Sequence, residues 1–411
     1  MVALTLTRKL SILADAAKYD ASCASSGGKK RDSRQGRGVG AVTGGMGVCH
    51  AYTPDGRCVS LLKILLTNFC IYDCVYCVNR VSSNVERARF SVHEVVDLTL
   101  SFYKRNYIEG LFLSSGIIQS ADHTQELLNA VARTLRETHD FRGYIHLKLI
   151  AGASPELARA AGLHADRLSV NVELPLEASL KTLAPQKDMG VIKEAMGRVR
   201  FGIVEGAERT RTGRKAPVFA PAGQSTQMII GADGASDADI LERSDALYVG
   251  FDLKRVYYSA FSPIPDASAA LPASRPPLMR EHRLYQADWL ARVYGFEMRE
   301  ITAAMPGGML DLAMDPKLVW ALANRDRFPV DVNAADREML LRVPGLGVRT
   351  VDRLIAARRH GRIGIADLTR LAHSAKRLKP FVVAADWTPG ALTDAADLAA
   401  RLRPVIQPSL F

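Results

Sequence analysis

Six short apolar segments alternate with helical patterns across residues 59–320, and this alternation constrains the fold more than any other feature of the chain. The segments 60–67, 110–115, 144–150, 167–174, 226–231 and 256–262 read as strands. Helical periodicity marks 92–104, 122–138, 155–161 and 191–199 between them. Strands separated by helices pair in parallel, so the expected body is an α/β domain whose sheet is either open or curled into a partial barrel. The strand faces bear on that choice, because a parallel sheet covered on both sides consists of unbroken apolar runs. Here His146 and Lys148 share one face, opposite Ile145, Leu147 and Leu149. Ser169, Asn171 and Glu173 likewise share a face, opposite Val170, Val172 and Leu174. Burying such rows dry is costly. They are expected to line a solvent-filled lumen that opens, as β/α barrels do, onto a site at the strand C-terminal ends. The alternative is an edge strand facing water.

The 411 residues leave room for roughly two or three domains. With 48% hydrophobic and 24% charged residues the chain is not disordered as a whole. Six cysteines are too few for a disulfide scaffold. No apolar run reaches the ~18 residues of a membrane span, and residues 1–18 lack the order of a signal peptide. A cytoplasmic protein without membrane contact is the expectation. The net charge of +11 favours polyanionic partners, and its distribution is uneven. Residues 325–379 hold thirteen basic side chains against six acidic ones. Lys29, Lys30, Arg31, Arg34 and Arg37 form a smaller cluster in the Gly- and Ser-rich segment 26–47, which follows an amphipathic helix at 4–17 and reads as loop. The division expected is an extension at 1–58, the α/β body at 59–325, a small all-α module at 326–386 and a tail at 387–411.

Directly after the first strand stands Cys70-Ile-Tyr-Asp-Cys74-Val-Tyr-Cys77, a C-x3-C-x2-C spacing. Three thiolates on one short loop can hold three irons of a 4Fe-4S cubane and leave the fourth iron open to a substrate. The alternative is structural zinc, which wants four closed ligands and paired C-x2-C units. The spacing, with Tyr76 just before the last cysteine, resembles the radical SAM superfamily. That resemblance covers about residues 60–265 and implies a partial (β/α)6 barrel, a 4Fe-4S cluster and S-adenosylmethionine (SAM) as cofactor. It also implies that Ser114, Ser115 and Gly116 stand where the family's second strand holds the SAM amino group, although the usual acidic residue is missing. Asn171 and Glu173 would face the ribose, and Gly231, in the segment 230–234, the adenine.

Cys23, Cys49 and Cys58 remain, with His50 beside Cys49. All six cysteines fall within residues 23–77, which suits a second iron–sulfur cluster or metal site. Inert buried thiols are the other reading. Towards the C-terminus, Asn333 or Asp331 is expected to cap a helix ending at Arg342. A Pro344-Gly345-Leu346-Gly347 turn follows, and a second helix begins near Val348. Gly345, Gly347, Val348, Arg349, Thr350 and Arg353 together resemble a helix-hairpin-helix, which grips DNA phosphates through backbone N–H groups and a helix dipole. A purely structural or protein-binding hairpin is the alternative. The last residues contain Gln407, Leu410 and Phe411 in a Gln-x-x-Leu-Phe pattern similar to sliding-clamp-binding tails, although Pro408 departs from it. The same side chains could instead fold back on the protein itself.

Taken together, these features resemble radical SAM proteins assigned to DNA modification or repair. That family implies a uracil-DNA-glycosylase-like partner and an external electron donor such as flavodoxin. The activity expected is reductive cleavage of SAM and radical chemistry on DNA, with His146, Lys148 or Tyr257 as candidates for proton handling. Action on RNA, or a non-catalytic iron–sulfur DNA-binding adaptor, are the competing readings.

Overall fold

The computed structural model describes residues 4–19, 31–32, 41–42, 48–52, 58–211, 218–265, 267–371 and 375–404. The chain divides into two compact units, Met1–Ala235 with Ala246–Pro276, and Ser236–Asp245 with Pro277–Phe411.

The first unit is built on one seven-stranded sheet whose spatial order follows the chain: β1 (Val48–Tyr52), β2 (Cys58–Leu65), β3 (Gly110–Ser114), β4 (Tyr144–Lys148), β5 (Arg167–Ser169), β6 (Gln224–Ile230) and β7 (Arg255–Ala260). β2 to β7 pair in parallel and curl into a half-barrel, while β1 adds an antiparallel edge to β2. The expected partial barrel is therefore present. The edge strand β1 was unexpected, since it emerges from a segment without hydrophobic periodicity. Helix α1 (Leu6–Ala16), capped by the Thr5 side chain, packs against β2.

The crossovers carry α2 (Val92–Lys104), α3 (Ala121–Arg133), α4 (Pro155–His164), α5 (Glu177–Leu183), α6 (Met189–Arg211) and α7 (Asp237–Phe251). Local chemistry sets their starts. Ser91 and Glu94 form a reciprocal capping box at α2, and Ser120 caps α3. The pattern expected over 122–138 is α3 plus one π-helical turn at Thr134–Thr138. α6 runs well beyond the expected 191–199, and α5 and α7 were not expected at all.

Pairing Lys63 with Phe112, Phe112 with His146 and His146 with Arg167 places these residues on one face of the sheet. The other face presents Leu62, Ile64, Leu111, Leu113, Ile145, Leu147 and Leu168, all fully buried under the crossover helices. β4 and β5 are interior strands, which removes the edge-strand alternative. The solvent-filled lumen needs correction at its floor, because His146 is 0% and Ser169 1% exposed. Neighbouring side chains meet them there instead: His146 Nε2 meets Ser169 Oγ at 2.5 Å, and Ser169 Oγ meets Ser225 Oγ at 2.6 Å. The long strand expected at 167–174 ends at Ser169, and beyond it Glu173, with a left-handed backbone (φ +66°), rejoins the sheet at a single bridge to Met228.

The second unit is helical, with α8 (Leu278–Tyr294), α9 (Met298–Ala303), α10 (Pro316–Ala323), α11 (Arg337–Arg342), α12 (Val348–Ala357) and α13 (Ile365–Leu371). An edge-to-face aromatic chain of Phe296, Trp320, Phe328 and Phe381 holds it together. Arg342 lies 4.7 Å over the Phe296 ring and pairs with Glu300 at 2.8 Å. Those contacts draw residues 277–325 into this unit rather than into the α/β body where the expected boundary at 325 put them. Among the described residues no helix is long and apolar enough to cross a membrane.

Leu113 is fully buried in the middle of the sheet. Replacing it by alanine should cost about 2–5 kcal/mol, readable as a lowered thermal unfolding midpoint of the first unit.

Candidate functional site

The cysteine loop leaves the C-terminal end of β2 and is fastened from three directions. Thr67 Oγ1 donates to Ala88 O at 2.9 Å, and the Asn68 side chain bridges Ala88 N and Glu86 O. The Arg87 guanidinium donates to the carbonyls of Asn68, Asn79 (2.9 Å), Arg80 (2.6 Å) and Ser83 (2.9 Å). From β3, Gly116 N donates to Thr67 O at 2.8 Å, and Ile71 N to Ile117 O at 2.8 Å. Gly116 has to be glycine here: a Cβ would sit 2.2 Å from Phe69 O.

Cys74 is buried, while Cys70 and Cys77 are half-buried. Cys70 Sγ accepts N–H groups from Tyr72 (3.4 Å) and Ile117 (3.5 Å), and Cys77 Sγ accepts Asn79 N at 3.4 Å. Removal from water pushes the Cys77 thiol up to about 12 and raises that of Cys74. As bare groups both would stay protonated, so a bound cation is what would draw them into the thiolate form. The three sulfurs lie close enough for their charges to act on one another. Among the described residues, however, no three His, Cys, Asp or Glu side chains gather tightly around a single ion. N–H donors aimed at the sulfurs, burial and mutual proximity fit the residues to an iron–sulfur cluster.

Beside the loop, Lys187 forms an ion pair with Glu173. Burial works against the Lys187 charge, but the neighbouring Glu173 carboxylate outweighs it and holds the lysine protonated. Tyr76 is buried, its hydroxyl without a partner among the described residues, and burial followed by the Glu173 charge keeps it a neutral phenol. The sequence reading missed Lys187 and Arg87. Neither falls in the cysteine motif, and only the fold brings them to it.

The structure places Ser114, Ser115 and Gly116 at the end of β3, next to the cysteine loop. The Gly116 N–H is already used by Thr67, and its carbonyl accepts Ser115 Oγ at 2.6 Å. Asn171 accepts from Lys148, and Glu173 is engaged by Lys187. Gly231 begins the turn after β6 with φ +75°, and nearby the buried Asp233 Oδ2 has no partner among the described residues. His146 Nδ1 is likewise unpartnered, and burial, then Arg167, Lys148 and Lys63, keep the imidazole neutral. Tyr257 is buried, with the Arg255 guanidinium 5.6 Å from its ring.

Of the remaining cysteines, Cys49 and Cys58 are not brought together. In the β1–β2 pairing Cys49 lies opposite Leu61 and Cys58 opposite Tyr52. They are an odd number of positions apart along the ladder and so point to opposite faces. Cys49 packs against Val59, Leu61 and Phe112, whereas Cys58 is exposed. Cys23 lies outside the described residues, as do Gln407, Leu410 and Phe411.

In the helical unit α11 begins at an Asp336 cap, whose Oδ1 accepts Met339 N at 2.7 Å. Asp331 and Asn333, expected as caps, are engaged elsewhere: Asp331 Oδ1 accepts Asn333 N at 2.8 Å in the turn before it, and the Asn333 side chain donates to Ile363 O at 3.1 Å and accepts Ile363 N at 2.7 Å. Gly345 has φ +88°, which favours glycine, and Gly347 is the extended cap of α12. The N–H groups of Gly347, Val348, Arg349 and Thr350 have no acceptor among the described residues. Thr350 Oγ1 donates to Leu371 O at 3.4 Å. Arg342 and Arg358 are absorbed internally, Arg358 by the Val332 and Ala335 carbonyls. Arg349, Arg353, Arg359, Arg362 and Arg370 are exposed, and their side chains make no hydrogen bond or ion pair with another described residue.

No family model matches the chain, and no curated protein matches it. Among solved structures it is similar to the FeFe-hydrogenase maturase HydG from Carboxydothermus hydrogenoformans, at 14% identity and a TM-score of 0.42 over 54% of this chain and 48% of that one. It is also similar to the radical S-adenosylmethionine methyltransferase TsrM from Kitasatospora setae, at 14% identity and 0.36 over 49% and 36%. SuiB from Streptococcus suis aligns at 12% identity and 0.37 over 55% and 45%. These alignments span about half or less of the other chains.

Arg87→Met removes a four-carbonyl clamp, and Gly116→Ala forces Phe69 away from β3. Either change should at least halve the iron and sulfide bound per chain after anaerobic reconstitution, while exposed Cys58→Ala should leave both unchanged.

Proposed function

We propose that the protein is a cytoplasmic radical SAM enzyme that binds a 4Fe-4S cluster through Cys70, Cys74 and Cys77 and acts on DNA. The observation that carries the first half is the cysteine loop itself: three sulfurs, two of them with N–H donors, at the C-terminal mouth of a parallel half-barrel. Cys70, Cys74 and Cys77 would hold such a cluster, which, when reduced by an external donor such as flavodoxin, would supply the electron for reductive cleavage of SAM. The chain's own residues supply position and charge. Lys187 places a half-buried ammonium beside Cys74 and Glu173, Asn171 is oriented by Lys148, and the sheet keeps His146 neutral.

Support for DNA comes from the helical unit. Five exposed arginines, next to a turn whose N–H groups have no acceptor, all without partners among the described residues, suit a polyphosphate backbone. Gripping phosphates does not require deoxyribose, so structured RNA is the reading to be excluded by competition.

Reconstituted, dithionite-reduced protein should form 5′-deoxyadenosine from SAM, and Cys74→Ala should form none. Absence of product from fully loaded enzyme with duplex DNA present would refute the radical reading. Arg349→Ala with Arg353→Ala should weaken duplex binding uniformly across sequences and lower the salt slope by about 2. Retained affinity for structured RNA but not duplex DNA would reassign the substrate.

A further inference from the structure

Behind the turn between α11 and α12 lies a buried lysine that the proposed chemistry does not use. Lys317, in the first turn of α10, is 7% exposed. Its Nζ donates to Leu346 O at 2.5 Å and sits 4.8 Å from the Tyr294 ring centroid. Among the described residues no carboxylate lies within ion-pair distance of it. Asp315, the nearby acid, caps α10 through Leu318 N at 3.0 Å and pairs with Arg377 at 3.0 Å. A buried ammonium with a carbonyl and an aromatic face, but no counter-ion, is an unneutralised charge.

The peptide bond transmits its effect. In a planar trans unit the C=O of one residue and the N–H of the next point in opposite directions. Drawing the Leu346 carbonyl toward Lys317 therefore turns the Gly347 N–H away from it. The same contact takes the carbonyl that Thr350 N–H would donate to in a continued helix, leaving that donor without an acceptor among the described residues as well.

We propose that Lys317 is a positioning residue for an oxyanion. Its ammonium holds the 346–347 peptide so that the Gly347 N–H faces an incoming phosphate, and supplies the positive field behind it. The inference rests on reading this turn as the phosphate-gripping element, and it adds the residue that orients it. Three groups face the ammonium: the Tyr294 ring from α8, the Leu346 carbonyl from the hairpin and the Asp315 charge from its own helix. Burial outweighs Asp315 and lowers Lys317 to about 7, so the field should be present at pH 6 and lost at pH 9.

The test uses full-length protein labelled with 15N-glycine, the Gly347 amide being assigned by its loss in Gly347→Ala. Sulfate is the probe because it stays a dianion throughout this pH range. In wild type, sulfate should shift the Gly347 amide and bind at least fivefold more tightly at pH 6 than at pH 9. In Lys317→Met the affinity at pH 6 should fall to the wild-type value at pH 9, and the difference between the two proteins should vanish at pH 9. Lys317→Arg, which keeps its charge, should restore tight binding at both pH values. Equal sulfate binding by wild type and a folded Lys317→Met at pH 6 would overturn the proposal, as would a Gly347 amide that sulfate does not move in wild type. The wild-type pH comparison decides the matter even where a variant fails to fold. A duplex DNA titration runs alongside: if sulfate behaves as described but DNA is not bound, the nucleic-acid reading falls and the role of Lys317 stands.

Discussion

A histidine and a lysine on the inner face of a central parallel strand can be kept from water only if the neighbouring strands bring partners to them. His146 meets Ser169, which meets Ser225, and Lys148 meets Asn171. These contacts cross from β4 to β5 and β6, so they hold at one register alone. A slip by one residue would turn Ile145 and Leu147 inward and drive the lysine under the helices. The polar row thus fixes how the sheet curls, and the curl decides that the loops after β2, β3 and β5 share one mouth.

The cysteine loop exploits that mouth and lacks regular structure of its own to stay in place. Arg87 compensates with a charged clamp on four carbonyls, and glycine at position 116 lets β3 close against Phe69. Such bonds are worth roughly 1.5–3 kcal/mol each when a charge is involved. Rigidity is obtained here by saturating carbonyls rather than by helix or strand, which leaves the cysteine sulfurs free to serve as ligands.

In the helical unit the same residue type has opposite fates. Arg342 is buried between Phe296, Trp320 and two glutamates, where its loss would expose an aromatic seam. Arg349 and Arg353 are exposed on α12, with no side-chain hydrogen bond or ion pair to another described residue. Counted along the chain, all belong to one basic stretch. Burial separates those that hold the unit together from those left for a partner.

Six of the seven sheet strands were legible as short apolar segments between helical patterns, and the alternation within 144–150 and 167–174 pointed to a curled sheet. The C-x3-C-x2-C spacing was equally legible, since its ligands are neighbours in sequence. β1 was not, because an edge strand takes its stability from the ladder it joins. The cap at Asp336 was misplaced to Asp331 or Asn333, as three polar residues within one turn compete on nearly equal local terms. The lumen floor was read as wet, because a polar side chain looks the same in sequence whether it meets water or a serine on the neighbouring strand. Arg87, Lys187 and Lys317 were invisible as site residues for the same reason. A lone basic residue has no periodicity, and whether its charge meets a carbonyl, a carboxylate or solvent depends on which distant segments the fold sets against it.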